Sequence, residues 1–482
     1  MKMKKNILLF TLLLFSGLTL FTGCDDFLDV APDERLEINS LKNIEATLVG
    51  AYQNDRGYRF THMCTDNVTL ATNVYNNEPI IEDLYTWSRD FRNQTHQDSP
   101  SAYWIAAYNS ISNANHALEA LDNISIAEAD KSKAAALKGE AMICRAYQHF
   151  VLVNLFGKHY DPQTASSDPG IPYTRVPENQ LIVDYKRYSV EEVYSMAEED
   201  MLKGIELFVA NIGETSKNKY RFTLPSVYTF ASRFYTYRNK NEEDVVKAIE
   251  YANKAIEAFG GVEVMRPWSD YKNDAFGPID IDQSEVGMVQ RSYTWLSFNW
   301  TYQMTIGINK SYLSNNPFDK TDERLISAFI RDGDIFIPSR FFVYDPSDIE
   351  ASASDIFPIA EAIINAAEGY IRKGEYTEAT NMLNVIGGNV YRSYNPSDLS
   401  SENLLAFYET TNEQEAWTKY LLFERRNMFL MRGYRWFDIK RYHLDVEHLL
   451  EDGSTVKLSE IAPNMDFQIP NFAISTGMEP NK

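Results

Sequence analysis

Residues 359–386 read IAEAIINAAEGYIRKGEYTEATNMLNVI, and this stretch decides the fold class. Apolar and small residues recur at three-to-four spacing along it, which indicates helices with one buried face. A turn at Gly374 leads to Tyr376, and Ala379 and Leu383 follow as a small and a large residue that allow close helix packing. The stretch therefore predicts a pair of packed helices.

The segment KGEYTEATNML resembles a tetratricopeptide unit. Further helix-pair character appears in three other parts of the chain: 103–121 with 134–157, 225–259 interrupted at RNKNEED, and 413–442. The separation between pairs is irregular, which differs from a regular array of about 34 residues per repeat. The predicted fold is mainly α, with tetratricopeptide-like helix pairs as a scaffold.

Long loop-rich stretches separate these pairs, at residues 56–95, 158–187, 260–316 and 331–358. Loops of this length are unusual in compact domains and are often functional. We therefore expect the insertions, and not the helices, to carry the ligand face.

Composition limits the function classes. The formal charge of −22 argues against nucleic acid, whose phosphates need a basic surface. A hydrophobic content of 44% and the lack of a linker rich in Pro, Gly or Ser predict one compact body. Aromatic residues make up 13% of the chain, and this favours a recognition protein.

The N-terminus has the pattern of a secretory signal. Basic residues 1–6 precede an apolar run at 7–21, which is shorter than the roughly 20 residues of a membrane-spanning helix. Small residues then lead to Cys24, followed by Asp25 and Asp26. The pattern resembles a bacterial lipobox, which predicts removal of residues 1–23 and acylation of Cys24. An ordinary signal with a chance cysteine is the alternative.

Signals for catalysis or cofactors are weak. No G-x-S-x-G, H-E-x-x-H, Walker or C-x-x-C motif occurs, and DIDQSE at 280–285 lacks the glycine of a calcium loop. Cys64 and Cys144 are interpreted as two buried thiols, with a disulfide as the alternative. We expect no cofactor, no metal and no enzymatic activity, although a carboxylate pair of the glycosidase type stays open.

Two aromatic clusters are candidate ligand sites. In LYTWSRDF, which begins at residue 84, Tyr85 and Trp87 alternate. In RSYTWLSFNWTYQM, which begins at residue 291, Tyr293 and Trp295 share one face of an extended segment, and Trp300 lies on the other. Stacking on sugar rings is one interpretation of these rings, and burial in the core is the alternative.

The segment ERRNMFLMRGYRWFDIKRY, residues 424–442, concentrates six basic residues but interleaves Glu424 and Asp438 with aromatic residues. Arginine that is paired with carboxylates and stacked on rings is common structural packing. We interpret the segment in that way, and a grip on an anionic ligand is the alternative.

Four motifs together resemble the SusD/RagB family. They are CDDFLDVAP at 24–32, LVNLFGKHY at 152–160, the AEG…KGEYTEA unit, and ERR…RGYRWFDIKRY. Their order covers nearly the whole chain after residue 23. Two details depart from the family pattern: the tail FQIPNFAISTGMEPNK lacks the usual acidic residue, and Gly387 stands where Arg is common.

The resemblance implies a surface-exposed, lipid-anchored protein of a Gram-negative outer membrane. Such proteins work with a SusC-like TonB-dependent transporter and capture glycans, or sometimes peptides, and acidic residues after the lipidated cysteine direct surface export. The expected regions are 24–222 and 223–482, packed as one body. By similarity in position, the ligand residues include Trp87, with Asn73, Tyr75 and Asn77 as neighbours.

Two other function classes remain possible from the sequence. An anchored glycoside hydrolase would cleave glycans, and a purely structural helical scaffold would bind protein alone. Glycan cleavage favours the first of these, and retention on an immobilised nutrient excludes the second.

Overall fold

The computed structural model describes residues 38–53, 57–70, 79–178, 185–273, 285–293, 306–308, 315–327, 329–332, 335–338, 343–345 and 348–482. Helices dominate these ranges, as the sequence predicts. They are α1 Leu41–Val49, α2 Pro79–Tyr85, α3 Pro100–Asn123, α4 Lys131–Phe156, α5 Val190–Ala210, α6 Leu224–Arg238, α7 Glu242–Phe259, α8 Glu323–Ser327, α9 Ile359–Lys373, α10 Tyr376–Val390, α11 Ser401–Phe407, α12 Glu413–Met428, α13 Tyr434–Tyr442, α14 Leu458–Ile461 and α15 Asn471–Ser475.

The predicted helix pairs are confirmed. Helix α3 packs on α4, α6 on α7, and α9 on α10, and α4 also packs along α5. The turn between α9 and α10 is made by Gly374 with φ +72°, in the left-handed region that glycine adopts without strain. The fold is mainly α, with helix pairs as its scaffold.

Short strands occupy parts of the long insertions. They are β1 Val68–Leu70, β2 Val289–Tyr293, β3 Ile306–Ile308, β4 Phe329–Asp332, β5 Ile335–Pro338, β6 Val343–Asp345, β7 Asp348–Asp355, β8 Glu447–Leu449 and β9 Thr455–Lys457. All pair antiparallel: β1 with β3, β7 with both β2 and β6, β4 with β5, and β8 with β9. Their described parts thus contain strands that the loop-rich sequence does not predict, because for β1 and β2 the pairing partner lies in a distant segment.

Two glycines allow α4 and α5 to cross closely. A Cβ atom at Gly139 would lie 2.7 Å from the backbone nitrogen of Phe208. A Cβ atom at Gly204 would lie 2.8 Å from the carbonyl oxygen of Gly139. Backbone meets backbone at both points, so neither contact can be relieved by a side-chain rotation.

The end of α4 is capped by residues from the far end of the chain. The last carbonyl groups of a helix have no partner within the helix. Here Lys440 Nζ donates to the carbonyls of Asn154 and Gly157, at 2.6 and 2.8 Å. The amide of Phe467 donates to the carbonyl of Leu155 at 3.0 Å. Asn481 Nδ2 donates to the carbonyl of Phe156 at 2.8 Å. Burial lowers the pKa of Lys440 to about 7, and Asp466 opposes that shift. Three residues that are distant in sequence thus complete one buried helix terminus.

The basic segment 424–442 is internal packing, as predicted. Arg425 pairs with Asp438 (3.1 Å), and Arg441 pairs with both Asp438 (2.7 Å) and Glu368 (2.6 Å). Burial raises the pKa of Glu368, but Arg441 and Arg372 outweigh it and hold that pKa well below its usual range. These arginines serve as buried cross-links between α9, α12 and α13.

Most described aromatic rings lie in the core. Trp417, Tyr420, Tyr434 and Trp436 are almost fully buried, and rings contact rings through much of the interior.

The cysteines follow the sequence interpretation, because Cys64 and Cys144 are both buried free thiols.

Within the described ranges, no helix combines the length and the apolar character needed to cross a bilayer.

The α4–α5 crossing yields a stability prediction. We expect Gly139→Ala to lower the free energy of unfolding by about 1–3 kcal/mol, because the new methyl group meets backbone at 2.7 Å. Chemical denaturation measures the change. Gly388→Ala is the matched control: this helical glycine in α10 has open space around it, so the change should stabilise by up to about 1 kcal/mol. Equal effects of the two changes would contradict a close crossing.

The cap of α4 yields a second prediction. Lys440→Met should cost about 2–5 kcal/mol of unfolding free energy, since two buried carbonyl groups lose their donor. Thermal and urea unfolding measure it. The exposed Lys457→Met should change stability by less than about 0.5 kcal/mol. A similar small effect at Lys440 would mean that water replaces the ammonium group.

Candidate functional site

A cleft of about 620 Å³ opens beside the first half of α3. It is bounded by helix α3, the segment after α1, the segment before α3, and α15. The lining residues are Gly50, Tyr52, Gln53, Gln94, Thr95, Ser101, Ala102, Ile105, Ala106, Asn109, Ser110 and Phe472. This group is called the α3 cleft below.

Local sequence sets the position of α3. Ser99 caps the helix by accepting a hydrogen bond from the amide of Ala102 at 3.0 Å, and Pro100 occupies the first turn. Tyr103 and Trp104 then face the core and are 1% and 5% exposed. The helix period turns the cleft residues to the other side, since they recur at intervals of three to four positions.

The polar groups of the α3 cleft are amides and hydroxyls. Gln94 Oε1 accepts from the Ser101 hydroxyl at 3.4 Å and from the backbone amide of Asn471 at 3.3 Å. Within the part of the chain that the structure describes, Gln94 Nε2 and the Asn109 side-chain amide have no hydrogen-bond partner. Each amide offers donors, and that of Asn109 also offers an acceptor. These groups can bind a ligand without giving up a protein contact.

Exposed apolar side chains accompany the amides. Ile105 is 48% exposed and Phe472 is 46% exposed. Large apolar residues with that exposure are informative when they line a concave site together with a few polar groups. Among the described residues that line the cleft, none is charged. The site thus fits an uncharged ligand with both polar and apolar surface.

Sequence reasoning missed the α3 cleft because it assigned residues 103–121 to scaffold. A signal was present: residues 100–115 contain no Asp, Glu, Lys or Arg. The outer face of a surface helix is normally charged or strongly polar. A long helix with an uncharged outer face therefore indicates an interaction surface, whereas the apolar stripe on its other face indicates only a core.

Trp87 and Tyr85, the first ligand candidates, lie in the interior with 4% and 3% exposure. Their rings stack on the imidazole ring of His448, at centroid distances of 4.4 and 4.0 Å. Trp87 Nε1 donates to the carbonyl of Cys64 at 2.9 Å, and the Tyr85 hydroxyl donates to that of Leu449 at 2.9 Å. In this structure neither ring has a free face for stacking on a sugar. The role of the two residues in ligand binding stays a prediction.

The backbone at Trp87 is unusual. Its φ of +54° lies in the left-handed region, which a bulky side chain adopts only when its surroundings hold it there. The hydrogen bond to Cys64 and the stack on His448 supply that restraint. His448 is itself fixed, with Nδ1 2.7 Å from the Tyr85 carbonyl and Nε2 3.0 Å from the Thr65 carbonyl.

Of the other ligand candidates, Tyr293 lies within the described ranges. Tyr293 ends β2, where it pairs with Ala351 across β7. Six predicted residues lie outside the described ranges, and their roles stay predictions: Cys24, Asn73, Tyr75, Asn77, Trp295 and Trp300.

A second, smaller cavity contains carboxylates but has little room. Its volume is about 30 Å³, which accommodates one or two waters. Asp355 is paired there with Arg432 at 2.6 Å, and Glu285 accepts from Arg266 Nε at 3.3 Å and from the hydroxyl of Tyr271. Burial raises the pKa of Asp355. A sugar ring does not fit between these groups, so this carboxylate pair is not a glycan site.

Comparisons with known proteins agree with the sequence motifs. Residues 26–236 match the model of the SusD-like family, which is described as starch-binding and associating with the outer membrane. Among curated proteins, none matches the sequence.

Solved structures share the fold. A putative sugar binding protein from Bacteroides vulgatus aligns with a TM-score of 0.72 at 18% identity, over 92% of this chain and 98% of that one. A SusD superfamily protein from Bacteroides thetaiotaomicron gives 0.71 at 17% identity, over 92% and 100%. A SusD-like carbohydrate binding protein from Bacteroides vulgatus gives 0.69 at 16% identity, over 91% and 96%. The resemblance to the SusD/RagB family is confirmed: residues 26–236 match the SusD-like family, and the chain has the SusD-superfamily fold.

Proposed function

We propose that this protein is a non-catalytic, lipid-anchored receptor that captures an uncharged glycan in the α3 cleft. It then passes the glycan to a SusC-like TonB-dependent transporter in the outer membrane. The observation that carries the proposal is the lining of the cleft, where amides and hydroxyls alternate with exposed apolar side chains and none of the described residues is charged.

The chemistry of sugars matches this lining. Each sugar hydroxyl both donates and accepts a hydrogen bond, and the Asn109 amide does the same. The C–H faces of a sugar ring suit apolar neighbours such as Ile105 and Phe472, which are 48% and 46% exposed. Amide groups and exposed apolar carbons together can therefore bind a sugar without ion pairs.

An acidic glycan fits the cleft less well. Carboxylate and sulfate oxygens only accept hydrogen bonds, so they gain most from cationic donors, and the described lining residues offer none. The chain also carries a formal charge of −22, which disfavours the approach of anionic polymers. The proposal is accordingly limited to uncharged ligands.

The absence of acid groups in the lining supports a binding role. Hydrolysis of a glycosidic bond generally needs two carboxyl groups beside that bond. None of the described residues that line the cleft is Asp or Glu. The matching family is described as starch-binding, and two structural relatives are named as sugar or carbohydrate binding proteins, which points the same way.

The anchor and the transporter complete the proposal. Cys24, within the lipobox-like sequence, would carry the acyl chains, since several chains on one terminus give durable attachment. Asp25 and Asp26 would direct the protein to the cell surface. The family model, described as associating with the outer membrane, supports this location.

The ligand test uses a panel of polysaccharides with and without charge. Soluble starch, galactomannan and arabinoxylan are the uncharged members, and polygalacturonate and chondroitin sulfate are the acidic ones. We expect affinity electrophoresis to show retardation by at least one uncharged member. Phe472→Ala should weaken binding at least about tenfold, because a hot-spot ring that the ligand covers contributes about 2 kcal/mol or more to binding. Its melting temperature should remain near that of the wild type, since Phe472 is 46% exposed.

Two control variants separate the cleft from the earlier candidates. Ile461→Ala removes an exposed apolar side chain elsewhere and should leave binding unchanged. Trp87→Ala should cost about 3–5 kcal/mol of stability, as expected for a buried ring. Normal stability with lost binding in Trp87→Ala would instead assign the ligand to Trp87. Retention of acidic members or of peptides alone would contradict the proposed ligand class.

Anchoring has its own test. Cys24→Ala should move the protein from the membrane fraction to the soluble fraction, or leave it unprocessed, because the acyl chains need that thiol. Cell fractionation followed by immunoblotting measures this. Cys64→Ala, which removes a buried thiol, is the control and should stay with the membrane. Wild-type protein that is soluble without detergent would contradict the anchor.

A further inference from the structure

The last residues of the chain are held as firmly as a core element. Asn481, the penultimate residue, is only 6% exposed. Its Nδ2 donates to the carbonyls of Phe156 and Phe467, both at 2.8 Å, and its Oδ1 accepts from Arg187 Nη2 at 2.6 Å. Chain ends are usually poorly ordered unless contacts of this kind restrain them.

Residue Gln468 clamps the backbone of Asn481. The amide of Asn481 donates to Gln468 Oε1 at 2.7 Å, and Gln468 Nε2 donates to the Asn481 carbonyl at 3.0 Å. Phe467 is attached to α4 through its amide, which donates to the Leu155 carbonyl at 3.0 Å. Residues 467–481 therefore form a closed loop, both ends of which are fixed at the same helix terminus. This loop is called the C-terminal loop below.

Phe472 lies on the C-terminal loop, and this connects the terminus to the α3 cleft. The helix that carries it, α15, contacts the other cleft wall through the hydrogen bond from the Asn471 amide to Gln94 Oε1 at 3.3 Å. Ile469 and Ala473 pack into the core with 1% and 5% exposure. The second half of the loop is tied to this turn, because the amide of Met478 donates to the carbonyl of Ala473 at 3.0 Å, and Asn481 fixes the end of that half.

We infer that Asn481 is a positioning residue for ligand binding: by closing the C-terminal loop, it holds Phe472 in the wall of the α3 cleft. This inference rests on the proposed function. Asn481 does not line the cleft, so it acts on the ligand only through the loop. A residue outside the cleft thereby sets the shape of the binding site.

A double-mutant cycle tests the inference with the full mature chain in detergent and the uncharged polysaccharide that binds most strongly in the panel. Asn481→Ala should weaken binding at least about tenfold, the loss expected when one hot-spot ring is misplaced. If Asn481 acts through Phe472, adding Asn481→Ala to Phe472→Ala should weaken binding no further than about twofold. Lys482→Ala changes the exposed neighbouring residue and should bind as the wild type does.

A second measurement does not use the ligand. Hydrogen exchange of the peptide amides in 468–480 should become faster in Asn481→Ala and stay unchanged in Lys482→Ala. If Asn481→Ala fails to fold, Gln468→Ala replaces it. That change removes the clamp on the Asn481 backbone and the hydrogen bond from the Ile469 amide, and it leaves the caps of α4 in place.

The outcomes separate the two claims. If Asn481→Ala binds with wild-type affinity, the positioning role is overturned while glycan capture stands. The same holds if the losses of binding free energy in the two single variants add up in the double variant. Unchanged hydrogen exchange in 468–480 would overturn it as well. If the wild-type chain binds no polysaccharide of the panel, the proposed function and the positioning role are both overturned.

Discussion

The buried end of α4 is the constraint on which the rest of the structure depends. An interior carbonyl group without a donor costs about 1–3 kcal/mol, so the end of this helix needs partners. They come from Lys440, Phe467 and Asn481, which lie more than 280 residues further along the chain. Because α4 also packs against α3 and α5, these contacts hold together the helices that form the N-terminal half of the scaffold. The sequence LVNLFGKHY contains the acceptors, and RGYRWFDIKRY contains the first donor, so two of the family motifs meet at this point.

Helix α13 joins this terminus to the other half of the scaffold. Lys440 reaches α4, and its neighbour Arg441 pairs with Glu368 of α9 at 2.6 Å. Asp438 lies between two arginines and binds both. Burying such charges is costly, and removing one partner of a buried pair typically costs about 3–5 kcal/mol. The network therefore adds geometric specificity more than net stability, since these buried pairs form only when α9, α12 and α13 lie in this arrangement.

Sequence periodicity was sufficient for the helices and insufficient for the site. The apolar spacing around Gly374 predicts α9 and α10 because both helices bury one face locally. The alternation of Tyr85 and Trp87 fits an exposed platform equally well until His448 is placed between the rings, and that residue is 361 positions away from Trp87. Local patterns contain no information about such a partner. The α3 cleft was missed for a different reason. The apolar stripe of α3 indicates a scaffold helix, although the sequence also shows that the opposite face is uncharged.

The cap on α4 also concerns the order in which the fold can form. A ribosome synthesises residues 131–156 long before residues 440, 467 and 481, so the acceptors exist for most of synthesis without their donors. Contacts between such distant residues form slowly, because a long chain must first close. The N-terminal helices consequently cannot reach their final state one after another as they are synthesised. The end of α4 becomes complete only when residues 440, 467 and 481 are all available, and a chain that stops before residue 481 lacks one of the donors that close it.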